Sequence, residues 1–325
     1  MIKKFFNIGS CYEGQKKYKI LNFLGLSFKF QVTISKNKRE FIANSKPKPL
    51  DNSIEPKRNK VYLSIVAIFK DEPDIIEWIE YHKLAGIERF YLYDNESITD
   101  YEKILKPYID TGEVVYKKIL GKSKQRPAYR DAIYRYKNET EWMAIIDLDE
   151  YIVPVSTNDI KDFLKDYEDY CGVVVNWLSF DSNGVEKRNK NKSVIDTFTR
   201  VYENYNTPIN RTIKSIVKPS KVKLVRSVHA CIYKRNEIAV DENFNPIKSN
   251  LYFRTNKVSM NKIRINHYHC KSKEEYLIKI NKGFADRTKP RTYEECSLNF
   301  EETTHDYIIK KYSKELNKKM HYIAE

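Results

Sequence analysis

Asp147-Leu-Asp149, followed at once by Glu150, is the stretch of this 325-residue chain whose residue types and spacing best suit chemistry. Residues 142–146 run apolar without polar alternation and stop at these acids. That pattern fits a strand buried on both faces, and the carboxyl ends of such strands are where open α/β sheets hold ligands. In an extended segment residues two apart point the same way, so Asp147 and Asp149 are expected to direct oxygens into one small volume while Leu148 turns to the core. Two like charges that close need a cation, a shared proton or strong hydrogen bonds. A hard divalent metal carrying a phosphate substrate meets that need. Alone, an Asp-x-Asp pattern is common in solvated turns; its place at the end of a buried strand singles this one out.

Asn266-His-Tyr-His-Cys270 is the second such stretch. His267 and His269, two of the six histidines, stand two apart in a β-like run, so both can face one side. Neutral imidazole is a common transition-metal ligand, and two strand histidines in ordinary hydrogen bonds is the competing reading. Ser272-Lys-Glu-Glu275 fits a capping box, so a helix should open there, carry Tyr276, Leu277 and Ile280 inward and stop at Gly283. Its N-terminal end, with Lys271 and Lys279 nearby, would favour a diphosphate.

The elements that must position these groups alternate in type. Residues 61–69 read as a strand ending in Lys70-Asp-Glu-Pro-Asp74, where Pro73 suits the first turn of a helix capped by Asp71 or Glu72. Ile75, Trp78, Ile79 and His82 then form one apolar stripe, and Gly86 supplies the stop. Residues 88–93 make a second strand closed by Asp94-Asn-Glu-Ser97. A helix over 100–108, a short strand over 113–116 and a helix opening at Pro127 lead into the carboxylate strand. This is a doubly wound α/β pattern, a mostly parallel sheet with helices on both faces and three strands ending in polar clusters on a common edge. Such an edge suits a nucleotide. Neither G-x-G-x-x-G nor a P-loop is present, so strand-end side chains and a metal would have to hold it. Arg126 and Arg130, flanking the helix start, can reach phosphate or ribose oxygens or simply be solvated.

Gly172-Val-Val-Val-Asn-Trp177 is another buried strand, followed by Leu178-Ser-Phe-Asp-Ser-Asn-Gly184. Trp177 or Phe180 could stack on the C–H face of an acceptor sugar, with Trp177 in the core as the alternative. Residues 214–219 read as a strand, and residues 222–233 carry His229.

Charge is unevenly spread: 14 lysines and arginines face 4 acids in residues 1–60, 15 face 23 in residues 61–170, and 30 face 17 beyond. The acidic middle holds the carboxylate strand. Basic ends around an acidic block suit an anionic substrate and an anionic membrane surface, and no nucleic-acid motif is present. Residues 16–30 mix lysines with aromatics and fit either a bilayer surface or a short β-hairpin. Residues 36–60, with three prolines, read as a linker. The five scattered cysteines include no C-x-x-C pair and point to reduced, intracellular thiols. No signal peptide or membrane span is expected at the N-terminus.

Together, Ala67-Ile-Phe-Lys-Asp-Glu72, Glu77-Trp-Ile-Glu-Tyr-His82 with Gly86, Tyr93-Asp-Asn-Glu-Ser97, Gln125 and Asp147-Leu-Asp-Glu-Tyr-Ile-Val-Pro154 resemble successive motifs of glycosyltransferase family 92 and its bacterial family-2-like relatives. The likeness continues through Trp177-Leu-Ser-Phe180, residues 214–219, His229, Asn266-His-Tyr268 and Lys271-Ser272, over roughly residues 61–285. It implies a GT-A domain with a nucleotide half (61–155) and an acceptor half (156–285), set between a basic N-terminal extension and linker over 1–60 and a C-terminal helical tail over 286–325. It also implies Mn²⁺ or Mg²⁺ and inverting transfer of a sugar from a nucleotide-diphosphate donor, commonly UDP-galactose, to a saccharide or lipid-linked saccharide acceptor. The setting would be bacterial surface polysaccharide or lipooligosaccharide synthesis, in the cytoplasm or on the inner face of its membrane.

Residue by residue, the resemblance assigns the metal to Asp147, Asp149 and His267, with His269 as the alternative to His267. It assigns Asp94 to the nucleoside and places Lys70 where the first strand meets it. Asp94 as a turn residue bonding its own backbone is the other reading. The acceptor loop departs from the family, which tends to Phe-Gly-Ser and a His after the later Gly; here Asp181 replaces the first Gly and Val185 follows Gly184. Asp181 is the first candidate for the base that deprotonates the acceptor, and Glu186 the second. A metal phosphohydrolase or nuclease, and a non-enzymatic basic RNA- or membrane-binding protein, are the rival classes. Oligomeric state is left open.

Overall fold

The N-terminal stretch forms a three-stranded antiparallel meander in place of the expected hairpin: β1 (Phe6–Glu13), β2 (Lys16–Phe23) and β3 (Leu26–Gln31). Helix α1 (Lys36–Ser45) follows, so the region expected to be linker is irregular only over residues 46–60. The computed structural model describes residues 6–13, 16–23, 26–31, 36–247, 253–282 and 300–321. Two compact units result, residues 1–45 and residues 46–325.

The second unit is built on β4 (Val61–Phe69), whose side chains are buried on both faces, as its unbroken apolar run requires. Leu63, Ile65 and Ala67 join one apolar cluster and Val66 and Ile68 the other, each fully buried aliphatic contributing about 1.5–3 kcal/mol. Helix α2 (Ile75–Leu84) supplies Trp78 and Ile79 to the first cluster. Its N-cap is Asp74, so Pro73 precedes the helix and does not sit in its first turn. Gly86 ends it at φ +103°, a conformation few other residues adopt.

β5 (Arg89–Asp94) follows. The helix expected over 100–108 breaks at Leu105 into α3 (Tyr101–Ile104), capped by the Asp100 side chain, and α4 (Lys106–Asp110). β6 (Val114–Lys118), α5 (Gln125–Tyr136) and β7 (Thr140–Ile145) follow in turn. Helix α5 opens at Gln125, ahead of Pro127, and its Tyr129 and Ile133 pack into the second cluster.

β7 ends before the acids. Asp147 and Asp149 lie in a turn closed by Glu150 N–H donating to the Asp147 carbonyl at 3.1 Å, and β8 (Glu150–Pro154) begins afresh. The extended geometry expected for the two aspartates is therefore not what separates them, although Leu148 is buried as expected.

After α6 (Ile160–Leu164) come β9 (Gly172–Ser179), α7 (Val194–Thr197), β10 (Arg200–Tyr202), β11 (Ile213–Val217), the pair β12 (Val222–Val225) and β13 (Cys231–Tyr233), and β14 (Ile263–His267). The eight-stranded sheet runs β6-β5-β4-β7-β11-β9-β14-β8. β4 to β7 are mutually parallel and β14 is parallel to β9, while β11 runs against both its neighbours and β8 runs against β14. With helices on both faces, this is the α/β GT-A architecture expected.

The capping box forms as expected: Ser272 N–H donates to Glu275 Oε2 at 3.1 Å and Glu275 N–H to Ser272 Oγ at 3.3 Å, opening α8 (Lys273–Lys282). Tyr276 is buried, but Leu277 points outward at 45% exposure. The expected stop at Gly283 lies outside the described residues, as do residues 286–299 and Ile323 of the expected tail. β15 (Thr303–His305) pairs with β10, and a 3-10 turn over residues 308–312 leads into α9 (Ser313–Met320), whose Leu316 joins the first cluster. Cys270 is disulfide-bonded, against the expectation of reduced thiols throughout, whereas Cys171 and Cys231 are free. Sequence spacing does not reveal a pairing set by closeness in space.

Candidate functional site

The turn after β7 sends its two aspartates to different partners. Asp147 Oδ1 accepts from Gln125 Nε2 at 2.6 Å and from Tyr129 Oη at 2.9 Å, both on α5. Its Oδ2 accepts from Lys214 Nζ at 2.8 Å. Lys214 reaches it because β11 lies beside β7, and the Lys214 side chain has no exposed surface. Burial alone would raise the Asp147 carboxyl, but the Lys214 charge and the hydrogen bonds from Lys214 and Tyr129 together hold the group below the usual range. Glu150 Oε2 accepts the Asp147 N–H at 2.8 Å and lies 3.6 Å from Lys214. Burial, with Asp147 and Asp149 adding to it, raises Glu150 well above an ordinary glutamate despite Lys214.

Asp149 turns the other way. Its Oδ2 lies 3.7 Å from His267 Nε2 and in contact with Lys279 Nζ. Burial would raise this carboxyl too, but Lys279 and His267 hold it well down. Asp149, His267 and His269 each present a ligand atom, and these atoms lie within 4.8 Å of one another. His267 ends β14, and the rings of His267 and His269 stand 5.2 Å apart. His267 Nδ1 is buried without a hydrogen-bond partner among the described residues. Beside it, half-buried Trp177 places its ring 4.0 Å from the imidazole, tilted by 39°.

A cleft of about 370 Å³ opens next to this triad. Its walls include Asp71 and Glu72 after β4, Tyr101 at the start of α3, Asp149, and Lys279 and Lys282 on α8. It therefore lies off the carboxyl ends of parallel strands, where the sheet's loops converge. Glu72 is 3.7 Å from Lys282 Nζ, and burial, reinforced by Asp149, raises its carboxyl in spite of Lys271 and Lys282.

The remaining expected residues are placed as follows. Lys70 is exposed and outside the cleft lining. Asp94 is buried, accepting from Ser97 N–H at 2.9 Å and Tyr116 Oη at 2.6 Å, which is the turn role. Arg126 and Arg130 stand one turn apart on α5, next to the face that carries Gln125 and Tyr129. Burial, and then the Arg126 charge, lowers Arg130, an environment that would welcome an anion. Lys271 lines the cleft, but its ammonium is tied to buried Asp74, which also bonds Arg188. That ion network does not suit the diphosphate contact expected of Lys271.

Phe180 is 1% exposed and packs on Tyr268 at 4.7 Å, so it cannot stack on an acceptor sugar from there. Asp181 does not suit the role of acceptor base either. Its side chain is buried and paired with Arg200, Nε at 2.8 Å and Nη2 at 2.7 Å, and it also accepts from the N–H groups of Asn183 and Phe300. With its oxygens taken up by a cation and two backbone amides, this carboxylate has no open side toward an acceptor hydroxyl. Glu186 is 75% exposed, paired with Lys273 and absent from the cleft walls. Sequence reasoning gave no role to Lys214, Gln125 or Tyr129. The available signal was a lysine that, with Ser215, interrupts the aliphatic run Ile213–Val217.

The sequence model described as Glycosyltransferase family 92 matches residues 60–320. A rice protein described as a glycosyltransferase family 92 protein is 25% identical over 126 residues, 38% of this chain and 22% of its own length. The galactan beta-1,4-galactosyltransferase GALS3 of Arabidopsis thaliana is 30% identical over 117 residues, 33% of this chain and 23% of its own. The chain thus spans less than a quarter of these curated relatives. Among solved structures, residues 1–349 of S. aureus TarS align with 16% identity and a TM-score of 0.36, covering 67% of this chain and 63% of that one.

Proposed function

The chain belongs to glycosyltransferase family 92, and from that premise we propose that it transfers a sugar, galactose, from a UDP-linked donor to a saccharide acceptor with inversion at the anomeric carbon. The observation that carries this reading is the convergence of Asp149, His267 and His269 beside a cleft off the carboxyl ends of β4 and β7, with Asp149 and His269 in its walls. Galactose is favoured by the beta-1,4-galactosyltransferase among the relatives, whose β-linkage requires inversion when the donor sugar is α-linked.

The donor set fits a divalent ion: one carboxylate and two imidazoles share a small volume, and the buried His267 Nδ1 lacks a partner among the described residues. Two nitrogens favour Mn²⁺ over Mg²⁺, which prefers an all-oxygen shell. When bound, such an ion would neutralise the donor diphosphate. The chain's own groups do the rest. Asp147, fixed by Lys214, Gln125 and Tyr129, anchors the turn that carries Asp149, and Arg126 and Arg130 offer positive charge on the same helix as Gln125. Trp177 presents an aromatic shelf beside His267. Glu72 replaces Asp181 as the carboxylate that takes the acceptor proton, because it faces the cleft and its raised basicity suits proton transfer.

A lipid-linked acceptor at an anionic membrane surface accords with the lysine-rich residues 16–30. Among the described residues no helix is long and apolar enough to cross a membrane. The test is calorimetric titration with a panel of nucleotide sugars, with and without Mn²⁺, followed by transfer assays on galactan-type oligosaccharides. Mn²⁺-dependent binding of UDP-galactose with transfer is expected. Release of inorganic phosphate from the panel, with no sugar transferred to any acceptor, would show a phosphohydrolase instead.

A further inference from the structure

The two aspartates after β7 are neutralised by two lysines of unlike character. Lys214 is sealed in the sheet with no exposed side-chain surface, so its ammonium is a permanent part of the Asp147 site. Lys279 reaches Asp149 from α8 with its side chain 24% exposed, along the wall of the cleft. Its Nζ contacts Asp149 Oδ2, donates to the His269 carbonyl at 2.8 Å and lies 3.3 Å from His269 Nδ1. The ammonium therefore stands against Asp149 and His269, two of the three residues that converge on the candidate metal position. An ammonium and a divalent ion cannot share that volume at such distances, since like charges would meet without water between them.

We propose that Lys279 is the resident cation of this site: it neutralises Asp149 until a divalent ion displaces it, and the displaced ammonium then turns into the cleft to meet the donor diphosphate. This rests on the donor reading above only in its second step. Helix α8 is well suited to the exchange. Its N-terminal turn is locked by the Ser272–Glu275 capping box and by Glu275 bonding Arg188 at 2.9 Å, so the helix stays in place while the lysine stem swings. A lysine side chain has four rotatable carbons and a compact charge, which suits a mobile counter-ion better than a planar guanidinium. Lys282, one turn further along, bonds the Asp71 carbonyl on the same wall and adds to the positive charge that a diphosphate would find.

The experiment is Mn²⁺ binding, followed by calorimetry or by the free-ion electron paramagnetic resonance signal, in wild type, Lys279→Met and Lys279→Arg without nucleotide. Lys279→Met is expected to bind Mn²⁺ about tenfold more tightly, because the competing charge is gone, a change of about 1.4 kcal/mol. Lys279→Arg keeps the charge and should stay within about twofold of wild type, which shows that the effect is not a general loosening of the fold. In the presence of Mn²⁺, Lys279→Met should bind UDP about tenfold more weakly than wild type. Equal or weaker Mn²⁺ binding by Lys279→Met overturns the proposal, and unchanged UDP binding overturns the hand-over to the diphosphate. If wild type fails to bind UDP while the Mn²⁺ gain persists, the donor reading falls and the resident-cation role stands.

Discussion

Lys214 Nζ and Asp147 Oδ2 lie 2.8 Å apart, bridging two adjacent strands at the point where β7 gives way to the site. Lys214 has no exposed side-chain surface but Asp147 keeps 32% of its own, so removing the lysine leaves a partly solvated charge and costs on the order of 1–3 kcal/mol. Lys214→Met is therefore expected to lower stability by about that amount in urea unfolding. Adding Asp147→Asn to it should restore part of the loss, because the surviving amide no longer buries a charge. A double variant no more stable than Lys214→Met would show that the pair is not what stabilises this edge.

The divergence of the two aspartates separates their roles. Asp149→Asn or His267→Ala removes a member of the converging triad and should weaken Mn²⁺ binding by at least about 10–100-fold in calorimetry, the loss that even groups supporting a metal ligand cause. Asp147→Asn should change Mn²⁺ affinity less than about threefold, since its oxygens are committed to Lys214, Gln125 and Tyr129. Equal loss in both variants would restore the two-aspartate metal site that the sequence suggests.

Residues 61–69, 142–146 and 172–177 announced buried strands because each run is apolar on both sides, and the capping box at Ser272 was legible because it is a local hydrogen-bond code. What the chain could not reveal was set by distant partners. The turn at Asp147 depends on Lys214, which is 67 residues away, and Asp181 is closed by Arg200 through a loop whose path no short pattern encodes. Lys271 likewise reads as a free cation beside the histidines until Asp74, 197 residues earlier, is seen bonded to it. Periodicity reports which face of an element is buried; it is silent on which charge will meet which.

Glu77 gives the stability of the fold a pH dependence with a definite sign. Burial, with Asp74 adding to it, pushes its carboxyl up to about 7 from an ordinary value of 4.5. Between those values the folded state holds a proton that the unfolded state has lost, so this group's contribution is full below about pH 4.5 and lost as pH rises through about 7. The change is on the order of 3 kcal/mol. Glu77→Gln can still accept the Val194 N–H that Glu77 Oε1 takes at 2.8 Å. The variant is expected to match wild type in urea unfolding near pH 4.5 and to exceed it above pH 7. A constant difference across that range would mean that Glu77 does not titrate between folded and unfolded states as described.

The acceptor base is the last distinction that the site permits. Glu72 faces the cleft and carries a raised carboxyl, whereas Asp181 is locked against Arg200 away from it. Glu72→Gln keeps the shape of the side chain and removes the proton acceptor, so kcat should fall by about 10²–10⁴ while UDP-sugar affinity in Mn²⁺ changes little. The rise in kcat with pH that reports a single ionising base in wild type should also disappear in the variant. Asp181→Asn should instead remove the Asp181–Arg200 ion pair, lower stability by about 1–3 kcal/mol, and retain kcat for the folded fraction. The split between the two variants is the decisive observation: loss of kcat in Asp181→Asn at wild-type stability, with Glu72→Gln fully active, would return the base to the acceptor loop.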